Sequence, residues 1–252
     1  MNTKLVVSLT TISKRIIRVH EVIESISSQT RPPDEIHLFL SKENYLLDGG
    51  ILEIPPELDG CIKKYNVNLH YVPNIGPYRK LLPLLRQTWG QDACIVTVDD
   101  DTIYPPHFLE RMVLAFQNHQ CIIAFSGRRI TFNKEGGVIP YRRWPKLVNG
   151  QSKDILNFPI GKDGVLYHHR FFTDRVFDDA ALTLCPTADD IWFRCNTWIK
   201  QVPACILGVD PGPYFPDIRF GAGGLWKTNA RSNTECFRRV ARHLKLPAPF
   251  AF

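Results

Sequence analysis

The sequence predicts an α/β fold in which helices flank a mainly parallel central sheet. Apolar runs of strand length alternate with segments of helical periodicity through about residue 120. That alternation is typical of βαβ units, whose crossover helices cover the faces of a parallel sheet. The chain has 252 residues, of which 44% are hydrophobic. This is enough apolar material for a large core in one domain or in two close-packed lobes.

The first half is predicted to contain four strands and three helices. Apolar side chains from Ile12 to Ile26 recur at helical spacing, and Pro83 should kink or shorten the helix predicted over 78–88. A third helix should open at Pro105 and Pro106, since proline is favoured in a first helical turn. The predicted strands are "KLVVSLT" (4–10), "DEIHLFLS" (34–41), "VNLHYV" (67–72) and "ACIVTV" (93–98).

The second half has a less regular pattern. The segment 186–199 is predicted to be a helix capped by Thr187, and a terminal helix should follow Asn233 as its cap. No segment has the composition of a linker, so we expect a single domain over 1–252, with halves at about 1–120 and 121–252. The other predicted elements are short strands in 121–126 and 128–132, a Gly-Gly turn at 136–137, a loop over 140–165, a strand over 204–209 and a loop through 224.

Charge and cysteine content narrow the class of protein. The net charge of +6 and the pI near 8.9 suit a phosphate-bearing ligand, nucleic acid or an acidic membrane surface, without choosing among them. The basic run at 238–245 has helical spacing, and we interpret it as a solvated helix face. No apolar stretch approaches the ~20 residues of a membrane span, and the start of the chain reads as a strand rather than a signal peptide. Seven cysteines without a CxxC pair indicate reduced thiols in a cytosolic protein.

Three adjacent carboxylates, Asp99, Asp100 and Asp101, follow the fourth strand. Ligands of α/β sheets bind beyond the carboxyl ends of the strands. Oxygen ligands suit Mg²⁺ or Mn²⁺, which are often held by one or two carboxylates and the phosphates of a substrate. Asp99 and Asp101 can share one side of the chain while Asp100 faces elsewhere. The alternative is a solvated turn whose acids are favoured by the next helix N-terminus.

The segment "VTVDDDTIYPPHFLERMV" resembles the Asp-x-Asp segment of GT-A-fold glycosyltransferases, especially family-2-like enzymes of bacterial surface-polysaccharide synthesis. "PTADDIWF" resembles the acidic motif that opens their acceptor-side helix, and "SLTTISKRI" and "IGPYRKLLPLL" occur where that family meets its nucleotide-sugar. The resemblance covers roughly residues 4–245. It implies a GT-A (Rossmann-like) fold with a nucleotide-sugar-binding half at 1–120 and an acceptor-binding half at 121–252.

The resemblance also implies roles for individual residues. Asp101 would hold Mn²⁺ or Mg²⁺ at the donor diphosphate, and Asp99 would contact the same metal or the ribose, with Asp100 as a supporting neighbour. Among the other donor-binding residues, Thr10, Thr11 and Arg15 would line the base and ribose pocket. Arg79 and Lys80 would supply cationic donors to the diphosphate. The family's acidic residue for uracil, after the second strand, is replaced here by "LFLSKE", in which Ser41 and Glu43 are the available substitutes. The identity of the nucleotide therefore stays open.

Asp189 and Asp190 are the predicted catalytic pair. A purely structural interpretation is available, because acids in a first helical turn are favoured by the helix dipole. A glycosyl acceptor hydroxyl, however, needs a base within hydrogen-bond reach. The family motif favours Asp190 as this base in an inverting transfer. Gly161, Gly164 and Trp226 are the predicted acceptor-binding residues, and the loop 210–228 is a candidate lid.

The expected partners are a nucleotide-sugar donor and a glycan or lipid-linked glycan acceptor in capsule or O-antigen synthesis, without nucleic acid. The expected location is the cytoplasm, with peripheral association at the inner membrane, and the chain is a candidate module of a longer protein. One alternative is an Mg²⁺-dependent nucleotidylyltransferase of sugar phosphates, although no glycine-rich phosphate loop follows the first strand. The other is a non-enzymatic module that binds nucleic acid or polysaccharide.

Overall fold

Four parallel strands form one half of the central sheet, and buried apolar runs account for three of them. Such runs suit strands that are covered on both faces. A computed structural model describes residues 3–148, 152–208, 215–218 and 226–246. The elements of the first half are β1 (Lys4–Thr10), α1 (Val19–Ser27), β2 (Glu35–Leu40), α2 (Pro56–Tyr65), β3 (Asn68–Tyr71), α3 (Leu82–Gln87) and β4 (Ala93–Thr97).

The second half continues the sheet with shorter strands and adds the longest helix. Its elements are α4 (Phe108–His119), β5 (Ile122–Ala124), β6 (Gly127–Arg129), β7 (Lys146–Leu147), β8 (Ser152–Asp154), β9 (Asn157–Pro159), β10 (Val165–His168), α5 (Ala181–Leu184), α6 (Asp189–Ile199), β11 (Ala204–Ile206) and α7 (Trp226–Leu244). Side chains of both halves contribute to one hydrophobic core.

The central sheet has eight strands in the order β3-β2-β1-β4-β10-β5-β11-β8. Six of them run in one direction, while β10 and β8 run antiparallel to their neighbours. A smaller antiparallel sheet has the order β7-β6-β9. The predicted fold class, a mainly parallel sheet flanked by helices, is confirmed. In the described parts of the chain, no helix combines the length and the apolar character that crossing a bilayer requires.

Several local predictions were wrong, each for a physical reason. The segment 140–165 was expected to be a loop, but it contains three short strands and the start of β10, whose hydrogen bonds come from partners distant in sequence. By contrast, the helix predicted over 78–88 is shortened, which is one of the two outcomes expected from Pro83: α3 begins only at Leu82, and the proline lies in its first turn, where its missing N–H costs nothing.

The two predicted helix caps were also wrong. The side chain of Thr187 makes no capping hydrogen bond to α6 and donates to Asn229 instead. Asn233 lies inside α7, which begins at Trp226 rather than after Asn233. In addition, the helix α2 was not predicted at all, since only two of its side chains, Leu58 and Cys61, are buried and its apolar periodicity is weak.

The arrangement of β1 and β4 places the acidic segment. The two strands are parallel neighbours, with Ser8 opposite Thr97, and the amide of Val98 donates to the carbonyl of Ser8 at 3.1 Å. The segments that follow them therefore leave the same edge of the sheet side by side. Residues 13–18 form turns before α1 begins at Val19, so Thr11 and Arg15 remain at this edge next to Asp99–Asp101.

Candidate active site

Asp100 is the buried member of the three adjacent acids. Its two carboxylate oxygens accept hydrogen bonds from Thr11 Oγ1 at 2.6 Å and from Arg15 Nη1 at 2.7 Å. Burial raises its pKa above the ordinary value, and the charge of Arg15 opposes that rise. Both oxygens are thus engaged inside the protein. Asp100 therefore holds Thr11 and Arg15 in place.

Asp101 and Asp99 keep part of their carboxylates accessible, with side-chain exposures of 27% and 31%. Arg15 Nη1 also donates to Asp101, at 2.9 Å. Burial, followed by the charges of Asp99 and Asp100, raises the pKa of Asp101 to about 6. A carboxylate under this repulsion gains from a nearby cation, which lowers the electrostatic cost of its ionised form.

Lys80 joins the two acidic motifs. Its side chain is only 9% exposed, and its ammonium nitrogen lies 3.0 Å from Asp99 Oδ1 and 3.1 Å from Asp189 Oδ2. Burial alone would lower the pKa of Lys80, but the carboxylates of Asp189, Asp99 and Asp190 raise it well above the ordinary value. The residue lies in a 3-10 turn over Gly76–Lys80, directly before α3. This cation thus links the end of β4 to the start of α6.

Asp189 and Asp190 open α6, where the helix dipole favours negative charge. Asp189 is 6% exposed and faces Lys80, whereas Asp190 stays partly exposed. Asp190 Oδ2 accepts the backbone N–H of Gly161 at 3.0 Å. Burial and then the charge of Asp189 raise the pKa of Asp190 to about 7. A partly exposed carboxylate with a pKa near neutrality has the properties of a general base.

Gly161 and Gly164 have different surroundings. A Cβ atom on Gly161 would come within 2.7 Å of Asp190 Oδ1 and 2.9 Å of Lys80 Nζ, so the absence of a side chain allows the backbone to reach the acid. A Cβ on Gly164 would instead come within 2.4 Å of Phe108, and its φ of +84° suits glycine. Gly164 therefore packs against the core, while Gly161 borders the site.

Arg79 is buried away from the cleft. Its side chain is 1% exposed, and its Nη2 donates to Asp48 Oδ2 at 2.7 Å and to the carbonyl of Thr11 at 3.3 Å. Together with the burial of Lys80 among carboxylates, this corrects the expectation that both cations are open to a diphosphate. Of the other two guanidinium nitrogens of Arg79, Nε donates to the Gly76 carbonyl at 3.2 Å, and Nη1 has no hydrogen-bond partner within the described ranges.

Asp48 was not identified from the sequence, although it organises the edge next to β1. It is 2% exposed and accepts the backbone N–H groups of Ser13 at 3.0 Å and Gly50 at 3.1 Å, besides Arg79. The signal in the sequence is the Asp-Gly-Gly triplet at 48–50, which indicates a turn in which a carboxylate can accept nearby amides. Asp48 is therefore the buried carboxylate in the segment after β2, the segment in which Ser41 and Glu43 were the substitutes expected from the sequence.

Tyr104 supports Asp99 and was also missed. Its Oη accepts the Asp99 backbone N–H at 2.9 Å and donates to the Lys162 carbonyl at 2.9 Å. Thr10 lies at the end of β1, and its hydroxyl donates to the Phe39 carbonyl at 2.7 Å. The two contacts of Tyr104 hold the backbone of the acidic segment against the turn that carries Gly161.

The candidate lid and Trp226 lie mostly outside the described residues. Trp226 begins α7, but its side chain is not described. Of the loop 210–228, the part 215–218 lies across the segment that follows the acids. There, the Ile218 amide donates to the Asp101 carbonyl at 2.7 Å, and Asp217 pairs with Lys162 at 2.8 Å.

The residues present fit a divalent metal ion of the kind that substrate phosphates complete. Asp99 and Asp101 offer two partly exposed carboxylates at one edge, which matches the one or two protein ligands that Mg²⁺ commonly takes beside phosphate oxygens. No group of three or more His, Cys, Asp or Glu side chains in the described part of the chain could hold a metal ion by itself. An ion at this edge would need further ligands, such as the phosphate oxygens of a substrate.

Solved structures with the same fold include two of TarS from S. aureus. With TarS 1–349 in complex with UDP-GlcNAc, the TM-score is 0.57 at 14% identity over 96% of this chain and 65% of that one. With TarS itself, the TM-score is 0.56 at 13% identity over 84% of this chain and 36% of that one. The chain thus spans about one third to two thirds of these proteins. At this identity the similarity shows the fold.

The two sequence comparisons gave different results. No curated protein sequence matches the chain. Residues 17–180, more than half of its length, match the profile of glycosyl transferase family 2. This range includes the Asp99–Asp101 segment, Lys80 and Gly161. The chain therefore belongs to glycosyl transferase family 2, as its motifs indicated.

Proposed function

We propose that the chain transfers a sugar, with inversion, from a nucleotide-sugar to a hydroxyl group of a glycan or lipid-linked glycan. The observation that carries the proposal is the link through Lys80, which brings Asp99 and Asp189 to one nitrogen although 90 residues separate them in sequence. A metal site alone would bind a donor but would not activate an acceptor. Asp190, the neighbour of Asp189 in sequence, provides a general base beside the donor site.

In this reaction, Asp190 accepts the proton of the acceptor hydroxyl. The hydroxyl oxygen forms a bond to the anomeric carbon, and the bond from that carbon to the phosphate oxygen breaks. The nucleoside diphosphate leaves with the electron pair, and displacement from the opposite face inverts the anomeric centre. The Gly161 amide orients the Asp190 carboxylate by donating to Oδ2, and Lys80 compensates the charge of Asp189 beside it.

The donor diphosphate is proposed to lie at the edge formed by Asp99, Asp101 and Arg15. Mn²⁺ or Mg²⁺ held by Asp99 and Asp101 would offset negative charge on the leaving diphosphate. Thr11 and Asp100 position Arg15 for this edge, and the buried Arg79–Asp48 pair shapes the turn beside it. We further propose cytoplasmic surface-polysaccharide synthesis at the inner membrane as the setting.

The test is a pair of measurements on Asp190→Asn. Nucleoside diphosphate release from a panel of nucleotide-sugars, with Mn²⁺ and a glycan acceptor mixture, should fall about 10²–10⁴-fold. Calorimetric binding of the nucleoside diphosphate with Mn²⁺ should be retained, because Asp190 lies on the acceptor side. Near-wild-type turnover in this variant would contradict the proposal. Release of pyrophosphate instead of nucleoside diphosphate by the wild type would favour the nucleotidylyltransferase alternative.

A further inference from the structure

The positive charge of the protein is concentrated in two segments. The segment 127–148 contains six basic residues and one acidic residue, and 226–246 contains the same numbers. The combined net charge of the two segments exceeds the net charge of +6 of the whole chain. The remaining residues are therefore net acidic.

The two segments form one surface. The Tyr141 amide donates to Thr234 Oγ1 at 2.8 Å, and Arg238 Nη2 donates to the Val138 carbonyl at 3.1 Å. Beneath them, Trp144 and Phe237 pack edge to face with ring centroids 5.5 Å apart. We call the exposed basic side chains of this surface the basic layer; its members are Arg142, Arg143, Lys146, Arg231, Arg238, Arg239, Arg242 and Lys245.

Ion pairs to carboxylates are known for part of the basic layer. Glu235 lies 3.7 Å from Arg239, and the nearby Arg129 is paired with Asp154 at 3.0 Å. Within the ranges that the structure describes, no carboxylate pairs with Arg143, Lys146 or Arg231. A run of like charges held in fixed positions repels itself, and an anionic partner relieves that repulsion.

Tyr141, which adjoins the basic layer in sequence, interacts electrostatically with the candidate base. Burial, then the negative charge of Asp190, raises the pKa of Tyr141, while Arg128 opposes that rise. Tyr141 is thus within electrostatic range of Asp190, and it begins the turn that carries Arg142 and Arg143.

At the other end of the layer, Asn229 of α7 exchanges two hydrogen bonds of 2.7 Å with Thr187, two residues before α6 begins. Both segments of the basic layer therefore adjoin the acceptor side of the site.

We propose that the basic layer binds an acceptor chain that carries phosphate or carboxylate groups. The inference rests on the proposed function for the identity of the bound chain as acceptor. Because the layer extends from Tyr141 along α7, it suits a polymer whose anionic groups recur beyond the reacting sugar. Several weak contacts to such groups would hold the chain while its hydroxyl reaches Asp190.

The structure favours an anionic glycan over a membrane or a nucleic acid. Interfacial membrane binding uses exposed apolar side chains, and of those described only Val148 lies in these segments, whereas Leu46, Leu47 and Leu52 lie in the other half. Single-stranded nucleic acid binding uses aromatic side chains on which bases stack. The Trp144 and Phe237 rings of the surface are buried, so they are closed to such stacking.

The experiment measures polymer binding without donor or metal. Long-chain inorganic polyphosphate and polygalacturonate are the probes, with neutral dextran as the blank. The wild type should bind at least one anionic polymer and not dextran, and the preferred polymer distinguishes phosphate from carboxylate. The variant Arg143→Gln/Lys146→Gln/Arg231→Gln should bind about tenfold more weakly, and the slope of log affinity against log salt should fall by about 2.

A matched control removes the same charge from the other half. Arg31→Gln/Lys63→Gln/Lys64→Gln should retain affinity within about twofold, because none of these residues belongs to the basic layer. Equal weakening in both triple variants would overturn the proposal, since it would indicate net charge alone. Loss of binding to mixed phosphatidylcholine–phosphatidylglycerol vesicles, or to a DNA duplex, without loss of polymer binding would also overturn it.

Failure of this inference is distinguishable from failure of the proposed function. The proposed function fails if Asp101→Ala retains metal-dependent binding of nucleoside diphosphate. The basic-layer inference fails if the polymers do not bind, whatever the donor site does. Melting temperatures of both triple variants verify that they are folded.

Discussion

The ammonium group of Lys80 lies 3.1 Å from Asp189 Oδ2, and the same nitrogen donates to Asp99 Oδ1 at 3.0 Å. The contact joins a strand end to a helix start. It is also the reason that two acidic motifs can coexist in a partly buried site. Each carboxylate that faces Lys80 is stabilised in its ionised form by the cation.

Replacement of Lys80 by Met should destabilise the protein by about 3 kcal/mol, because it leaves the buried Asp189 carboxylate without its cation. Urea unfolding at neutral pH measures this. Lys80→Arg keeps the charge and should recover part of the loss. Lys63→Met is the surface control: its partner Asp59 is exposed, so little change is expected. Equal stabilities of the Lys80 and Lys63 variants would contradict the role of the buried contact.

Asp100 and Asp101 should respond to substitution in opposite ways. Asp101→Ala should abolish metal-dependent binding of nucleoside diphosphate, measured by calorimetry, with little loss of stability because that carboxylate is partly exposed. Asp100→Ala should lower stability by about 2 kcal/mol, because it leaves Thr11 and Arg15 without their buried acceptor. The prediction is wrong if Asp101→Ala binds as the wild type does, or if Asp100→Ala is as stable as the wild type.

Gly161→Ala should impair transfer without unfolding the protein. The added Cβ would press on Asp190 Oδ1 and Lys80 Nζ, and displacement of the base by a fraction of an ångström should lower kcat about 10²-fold. Gly60→Ala is the matched control, because a Cβ there meets nothing within 4 Å and Gly60 lies inside α2. That variant should keep full activity and gain about 0.5–1 kcal/mol of stability. Equal activity of the two variants would show that Gly161 tolerates a side chain.

The pH dependence of transfer should follow the protonation state of the Asp190 carboxyl group. Since its pKa is raised to about 7, kcat/KM should increase with pH below about 7 and level off above it. The charge of Lys80 lowers the pKa of Asp190, so Lys80→Met should move the midpoint to higher pH. A flat profile from pH 5 to 8, at saturating Mn²⁺, would argue against Asp190 as the base.

Ionisation of the Asp190 carboxyl group should also lower the free energy of unfolding as the pH rises. In the unfolded chain its carboxyl loses its proton near pH 4, whereas in the folded protein it keeps the proton to about pH 7. The folded state therefore binds more protons in this window, and the free energy of unfolding falls as pH increases through it. Asp190→Asn removes this cost, so the variant should gain stability relative to the wild type between pH 4 and pH 8, by up to about 4 kcal/mol. A stability difference that does not change between pH 4 and pH 8 would contradict the shift.

The predictions from sequence succeeded where local periodicity carries the information. Alternating strands and helices gave the parallel half of the sheet because buried strands and amphipathic helices have their own patterns. They failed at β10, which runs antiparallel between β4 and β5 and so depends on strands far away in sequence. They also failed at Thr187 and Asn233, whose side chains have partners that no local pattern reveals.

The sequence by itself determined the α/β class and the places of the two acidic motifs at a strand end and a helix start. It could not assign the cations, because an ion pair depends on distance in space and not on spacing along the chain. Only the tertiary structure paired Arg15 with Asp100 and Asp101, Lys80 with Asp99 and Asp189, and Arg79 with Asp48. Burial then divided the three adjacent acids: Asp100 is enclosed by its partners, while Asp99 and Asp101 keep carboxylate surface exposed at the edge of the sheet.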